Sequence, residues 1–254
     1  MIIIKNNVAI RKMEQAGLLL ASLFDDLKQQ VRPGVTTGSL DAWIAQQLTV
    51  KGMKSSTKGY MGYRHSSCIS VNDVVVHGVP SETCSLKDGD LVKIDICASW
   101  QGYCADMARC FFVGTVSDEA HRLARVAQVA LDKGIEMMRP GNRLSDVSAA
   151  IQQEVEKHGF GVVRDFAGHG IGKRMHEEPE ILNYGKPGKG AILRSGMTFA
   201  LEPMITAGKY DIFITEDGWT VKTVDKSLAA HVEDTVLITE QGPKVLTRAT
   251  GSIQ

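Results

Sequence analysis

Apolar residues recur at helical spacing from Asn7 to Gln30, through Val8, Ile10, Met13, Leu18, Leu19, Leu23 and Leu27, until Arg32-Pro33-Gly34 ends the run. A second helix is predicted from about Gly38 to Lys51, with Gly52 as its stop. Residues 67–114 follow another rhythm. Short β-rich runs are broken by Asn72-Asp73, by Gly78-Val79-Pro80-Ser81 and by Lys87-Asp88-Gly89-Asp90, which is the pattern of strands joined by turns. Two more helices are predicted, over Ser117 to Met138 and over Leu144 to His158, closed by Arg139-Pro140-Gly141 and by Gly159. Strands and glycine-rich loops follow.

The helix order occurs twice, at a constant offset of 107 residues. Arg32-Pro33-Gly34 falls on Arg139-Pro140-Gly141, Ile44 on Ile151, Gln46 on Gln153 and Gly52 on Gly159. Such self-similarity marks an internal duplication. The same offset carries Gly89 onto Gly196 and Asp95 onto Glu202, so an acid in a strand of one half has a counterpart in the other. Two α+β halves facing each other across a pseudo-two-fold axis would bring those acids to one place. No linker separates them, which predicts a single domain over 1–254 with halves at about 8–114 and 115–248.

Composition narrows the function classes. Lys+Arg and Asp+Glu balance at 29 each, so no whole-molecule field favours nucleic acid, an anionic membrane or an acidic substrate. A hydrophobic content of 43% can fill a sizeable core. The opening residues lack the core of a signal peptide, and no run approaches a membrane span of about 20 apolar residues. With five cysteines and no C-x-x-C pair, the chain reads as cytoplasmic with reduced thiols.

The chemistry gathers in four segments. Residues 93–109, KIDICASWQGYCADMAR, read as a hairpin. If Trp100 and Gln101 form its turn, Asp95 faces Asp106 and Cys97 faces Cys104 across the strands. Two full charges about 5 Å apart repel by about 3 kcal/mol at an effective dielectric near 20. Either the acids face water, or a bound cation converts the repulsion into ligation. If the two thiols do face each other, oxidation would link them and distort the acid pair. His169 and His176 lie in DFAGHGIGKRMHEEP, where flanking glycines let a backbone approach a crowded centre closely. No strand-then-helix frame makes that loop a phosphate cradle. Glu202 in MTFALEPMI and Glu233 in AHVEDTVLI each sit in an apolar strand. Four carboxylates and one imidazole suit two divalent ions sharing bridging ligands, and oxygen-rich ligation points to Mn²⁺, Fe²⁺, Co²⁺ or Zn²⁺.

The set IDIC…CADMAR, AGHGIG…HEEP, FALEPMI and HVEDT, preceded by SVNDVVVHGVP, closely resembles the short bacterial form of the type I methionine aminopeptidases, over nearly the whole chain. The resemblance implies a duplicated pita-bread fold, an antiparallel sheet with helices on its outer side. It implies removal of initiator methionine from newly made polypeptides, with small second residues preferred. Carried over residue by residue, it makes Asp95 a ligand of one ion, His169 and Glu202 ligands of the other, and Asp106 and Glu233 bridging ligands, with Glu202 also moving a proton. His77 and His176 are implied beside the scissile peptide, and Tyr60, Tyr63, Cys68, Met175 and Trp219 around the methionine side chain. A monomer with transient ribosome contact, no nucleic-acid readout and no membrane partner is expected.

Several positions depart from the family pattern. Met175 replaces a frequent aromatic residue and Thr57 a frequent cysteine, while Cys97 and Met107 stand where threonine is usual, so weaker support of the carboxylates is expected. His231 replaces a polar amide and is expected to hydrogen-bond locally. Prolidase-like Xaa-Pro peptidases share the ligand set but usually carry an extra amino-terminal domain, for which this chain has no room. A non-catalytic pita-bread binding protein would be expected to have lost ligands.

Overall fold

The computed structural model describes residues 1–248; residues 249–254 of the expected 1–254 domain lie outside the described residues. Four helices form where the pattern places them: α1 (Asn7–Leu27), α2 (Thr37–Val50), α3 (Asp118–Met137) and α4 (Leu144–Lys157). Three start on a side-chain cap. Asn6, Thr36 and Ser117 accept from the backbone N–H groups of Ala9, Ser39 and Ala120, satisfying donors that a helix start leaves free. α1 stops short of the expected Gln30: Lys28 to Gln30 form a turn in which the Gln30 N–H donates to the Leu27 carbonyl at 2.9 Å.

The strands that matter for the site form one nine-stranded sheet whose pairings are antiparallel. They are β1 (Lys54–Ser55), β2 (Cys68–Val71), β3 (Leu91–Trp100), β4 (Tyr103–Phe112), β5 (Ala167–Gly170), β6 (Glu177–Leu182), β7 (Thr198–Leu201), β8 (Glu233–Thr239) and β9 (Gly242–Val245). Their order is β1-β3-β4-β8-β7-β5-β6, with β2 on β3 and β9 on β8. First-half and second-half strands therefore meet at β4 and β8.

Alternation decides the faces. Val92, Ile94, Ile96 and Ala98 of β3, with Ala105 and Met107 of β4, pack into one core with α1 and α2. Phe199 and Leu201 of β7, with Val236 and Ile238 of β8, pack against α3 and α4 in a second core. Each fully buried Ile or Phe is worth about 1.5–3 kcal/mol, so a one-residue slip of β3 would expose several such groups and drive Asp95 among the helices. The acids are left on the opposite face of these strands.

The hairpin register corrects the expected one. Gln101 and Gly102 form the turn, with φ of 47° and 78°, the doubly left-handed geometry that suits a two-residue hairpin and favours glycine. Cys97 thus pairs with Asp106, Asp95 with Ala108 and Ser99 with Cys104. Asp95 and Asp106 are diagonal rather than direct neighbours, and Cys97 does not face Cys104. The shift is two residues, so it leaves every side chain on its predicted face and no burial term opposes it; turn geometry alone distinguishes the registers.

The duplication is visible in the backbone. Gly34 donates to the Leu86 carbonyl at 2.8 Å and Gly141 to the Leu193 carbonyl at 3.0 Å, at the same 107-residue offset. The isolated bridges Thr36 to Ser85 and Arg143 to Ile192 repeat that relation.

Candidate metal centre and adjoining pocket

Five expected ligands converge on the open face of the sheet. Asp95 lies on β3, Asp106 on β4, His169 on β5, Glu202 just past β7, and Glu233 opens β8. Ala108 of β4 pairs with Asp95 on one side and Glu233 on the other, so a small residue separates two acids from different halves. His169 Nε2 is 3.5 Å from Glu202 Oε1 and 4.0 Å from Asp106 Oδ2. Its Nδ1 lies 3.0 Å from the Gly170 carbonyl; as donor there, it leaves Nε2 unprotonated toward the acids. Among the described residues, two triads have donor atoms mutually within 4.8 Å: Asp106, His169 and Glu233, and Glu202, His231 and Glu233. They share Glu233. Asp95 joins neither triad, and Glu202 groups with His231 as closely as with His169.

The electrostatics call for positive charge. Burial, then the Glu202 charge, pushes Asp106 up to about 7, and burial pushes Glu202 up to about 8. Asp95 and Glu233 are also driven up, by burial first and then by Asp106. Asp106 Oδ1 and Glu233 Oε1 are buried without a hydrogen-bond partner. Such atoms are costly unless protonated or ligating. Burial also lowers His77, His169 and His231 to about 4, leaving neutral imidazoles, which suit ligation and hydrogen-bond donation. The residues present thus fit divalent cations by both donor type and charge.

A cavity of about 280 Å³ opens on this cluster and is lined by every expected pocket residue: Tyr60, Tyr63, Cys68, His77, Met175, His176 and Trp219. Tyr63 meets Trp219 edge to face at 5.0 Å, and its hydroxyl donates to the Ser67 carbonyl at 3.0 Å. The Tyr60 hydroxyl lies 2.9 Å from His176 Nδ1. His77 has φ of 56°, uncommon for a residue with a side chain, and its ring stands edge-on to Phe166 at 5.3 Å. Asp41 fixes the loop below Tyr63 by accepting from the Ser66 and Ser67 N–H groups and the Ser67 hydroxyl. A second cavity of about 590 Å³ shares His77, Asp95, His169, His176 and Glu202, and leads out past Arg164 and Arg174.

Three expectations about neighbouring residues change. Met107 faces the helices, so its side chain does not support Asp106. That support comes from Thr235, whose hydroxyl accepts from the Asp106 N–H at 2.8 Å and donates to its carbonyl at 2.9 Å. Period-two alternation from Glu233 would have flagged Thr235. His231 makes no local hydrogen bond through Nε2, which is buried and 3.4 Å from Glu202 Oε2. Met61, absent from the expected pocket, also lines it; an exposed methionine in a short turn carries no sequence signal. Cys97 lines the cavity as a buried free thiol, and Thr57 lines it while hydrogen-bonding to Ser55 and to the His65 carbonyl.

Comparison with known proteins agrees with this geometry. Residues 11–240 match the family model described as Metallopeptidase family M24. A methionine aminopeptidase of Clostridium perfringens is 48% identical over 97% of this chain and 99% of its own. The crystal structure of methionine aminopeptidase from Thermotoga maritima superposes with a TM-score of 0.96 at 43% identity, over 98% of this chain and all of that one. The prolidase from Pyrococcus furiosus, at 24% identity and TM-score 0.79, shares the fold over 97% of this chain but only 66% of its own.

Proposed function

The chain belongs to metallopeptidase family M24, and from that premise we propose how its own residues carry out the reaction. It is a metal-dependent aminopeptidase of pita-bread fold that removes the N-terminal methionine from polypeptides. Asp95, Asp106, His169, Glu202 and Glu233 would hold two divalent ions drawn from Mn²⁺, Fe²⁺, Co²⁺ and Zn²⁺. When bound, such ions polarise the scissile carbonyl and supply a nucleophile from water at neutral pH.

The protein does the remainder. The apolar pocket of Tyr60, Tyr63, Cys68, Met175 and Trp219 receives the methionine side chain, which places the free α-amino group at the acid cluster and restricts cleavage to the first peptide bond. Glu202 takes the proton of the attacking water and delivers it to the departing amide nitrogen. His77 and His176 donate hydrogen bonds to the scissile peptide and to the oxyanion that develops on its carbonyl. The Tyr60 hydroxyl orients the His176 ring through Nδ1. Met175 keeps the pocket apolar where a ring is frequent in the family, because a flexible thioether fills the space.

One observation carries this reading: four mutually repelling carboxylates and an imidazole close one end of an apolar pocket of side-chain size. A preference for small second residues belongs to it. So does action as a monomer in the cytoplasm on newly made chains, in transient contact with the ribosome, without nucleic-acid readout. Balanced charge fits this, as does the lack, among the described residues, of a helix able to cross a membrane. Metal-reconstituted protein should release methionine from Met-Ala-Ser and leave Xaa-Pro peptides intact, and Glu202→Ala should abolish release. Cleavage only before proline would replace the reading by a prolidase-like one, and no turnover with any of the four ions would end it.

A further inference from the structure

The five-residue ligand set leaves one buried imidazole at the centre without a task. His231 ends the short strand Ala229–His231, pairs with Met204 and is 2% exposed. Its backbone is thereby fixed, and its Nε2 has no hydrogen-bond partner. That nitrogen lies 3.4 Å from Glu202 Oε2 but is not aligned with it as donor to acceptor. Two donors each about 2.1 Å from one ion stand roughly 3.0–3.4 Å apart in octahedral to tetrahedral arrangements. The His231–Glu202 separation fits that spacing, as does the 3.5 Å between His169 and Glu202. Glu233 completes the triad with His231 and Glu202.

We propose that His231 is a sixth ligand of the centre, its Nε2 binding the ion that Glu202 and Glu233 hold. Glu202 then has an imidazole at each oxygen, His169 at 3.5 Å from Oε1 and His231 at 3.4 Å from Oε2. A second nitrogen ligand at the centre favours borderline ions such as Co²⁺ and Zn²⁺ over Mg²⁺. The proposal rests on the two-ion reading and assigns a ligand which that reading does not include.

Cobalt titration of the metal-free full-length protein tests it, followed by calorimetry and by the visible absorption of bound Co²⁺. The wild type should take two ions. In His231→Gln one of them should weaken by at least about 10-fold, with a changed visible band, while the other is kept. Glutamine retains an N–H donor near Glu202, so unchanged affinities and spectrum would reduce His231 to a hydrogen-bonding side chain and overturn the proposal. His231→Asn serves as a second variant. Loss of both ions in either variant, together with a lower melting temperature of its metal-free form, would mean a structural role and overturn it equally. A wild type that binds no cobalt would remove the metal centre itself, an outcome distinct from these.

Discussion

Glu202 stands between two imidazoles, 3.5 Å from His169 and 3.4 Å from His231, at the mouth shared by both cavities. In the proposed reaction that carboxylate binds a cation and also exchanges a proton, and an amide of the same shape does neither well. Glu202→Gln, assayed on Met-Ala-Ser at saturating metal, should lose about 10²–10⁴-fold in kcat, the range of general acid–base assistance. Retention of kcat within a few-fold would leave Glu202 with no part in proton transfer. The five residues proposed as ligands and the two histidines proposed beside the substrate could be singled out in the sequence because each lies in a compact motif. Thr235 and Met61 were not: the hydroxyl of Thr235 acts on the Asp106 backbone across 129 residues of chain, and Met61 lines the cavity only through the path of its turn.

Elements are held in place by a few long-range contacts. Gly17 of α1 packs directly on the Leu246 backbone, where a Cβ would overlap the carbonyl. Gly17→Ala should therefore destabilise by about 1–3 kcal/mol despite alanine's better helix propensity, read as a lower urea midpoint with unchanged slope. On the helix side of β8, buried Asp234 accepts from Arg109 at 2.6 Å, from two nitrogens of Arg248 and from the Thr247 hydroxyl at 2.7 Å. Asp234→Ala leaves two partly exposed arginines without their shared acceptor and should lower stability by about 3 kcal/mol, at the low end for breaking a buried pair. Loss of methionine release from an otherwise normally melting Asp234→Ala protein would instead give this residue a direct part in the reaction. The helices were readable from spacing and stop signals, since both are local. The hairpin register was not, because a two-residue slip changes no face and leaves the choice to the conformation of Gln101 and Gly102.

Across the whole molecule, protons and divalent ions compete for the same carboxylates. With Asp106 raised to about 7 and Glu202 to about 8 in the metal-free fold, against ordinary values near 4 in the unfolded chain, the folded state holds more protons. Their contribution is therefore full below about pH 4 and is lost as pH rises through 7 and 8. Lys93, lowered to about 7 by burial, and the buried His77 titrate in both metal-loaded and chelated protein and largely cancel in the difference. The gain in Tm on adding Co²⁺ to chelated protein should thus be small at pH 5.5 and widen toward pH 8. At an ion concentration about 100-fold above Kd, one ion contributes about 2.7 kcal/mol, a rise on the order of 5–10 °C for a chain of this size. A gain independent of pH would mean that the ions bind away from the acid cluster.

The sequence by itself determined the helix positions, the duplication, the face on which each strand residue lies and the residues proposed as the ligand set. Periodicity, stop residues and compact motifs are all short-range information, and burial enforces the two-residue parity strictly. Only the tertiary structure decided which acids are neighbours. Asp95 and Asp106 are diagonal, Asp95 and Glu233 flank Ala108, and Glu233 is shared by two triads. It also turned His231 from a locally hydrogen-bonded side chain into a buried nitrogen facing Glu202. These relations depend on turn conformation and on how strands from the two halves meet at β4 and β8, and no local pattern in the chain records either.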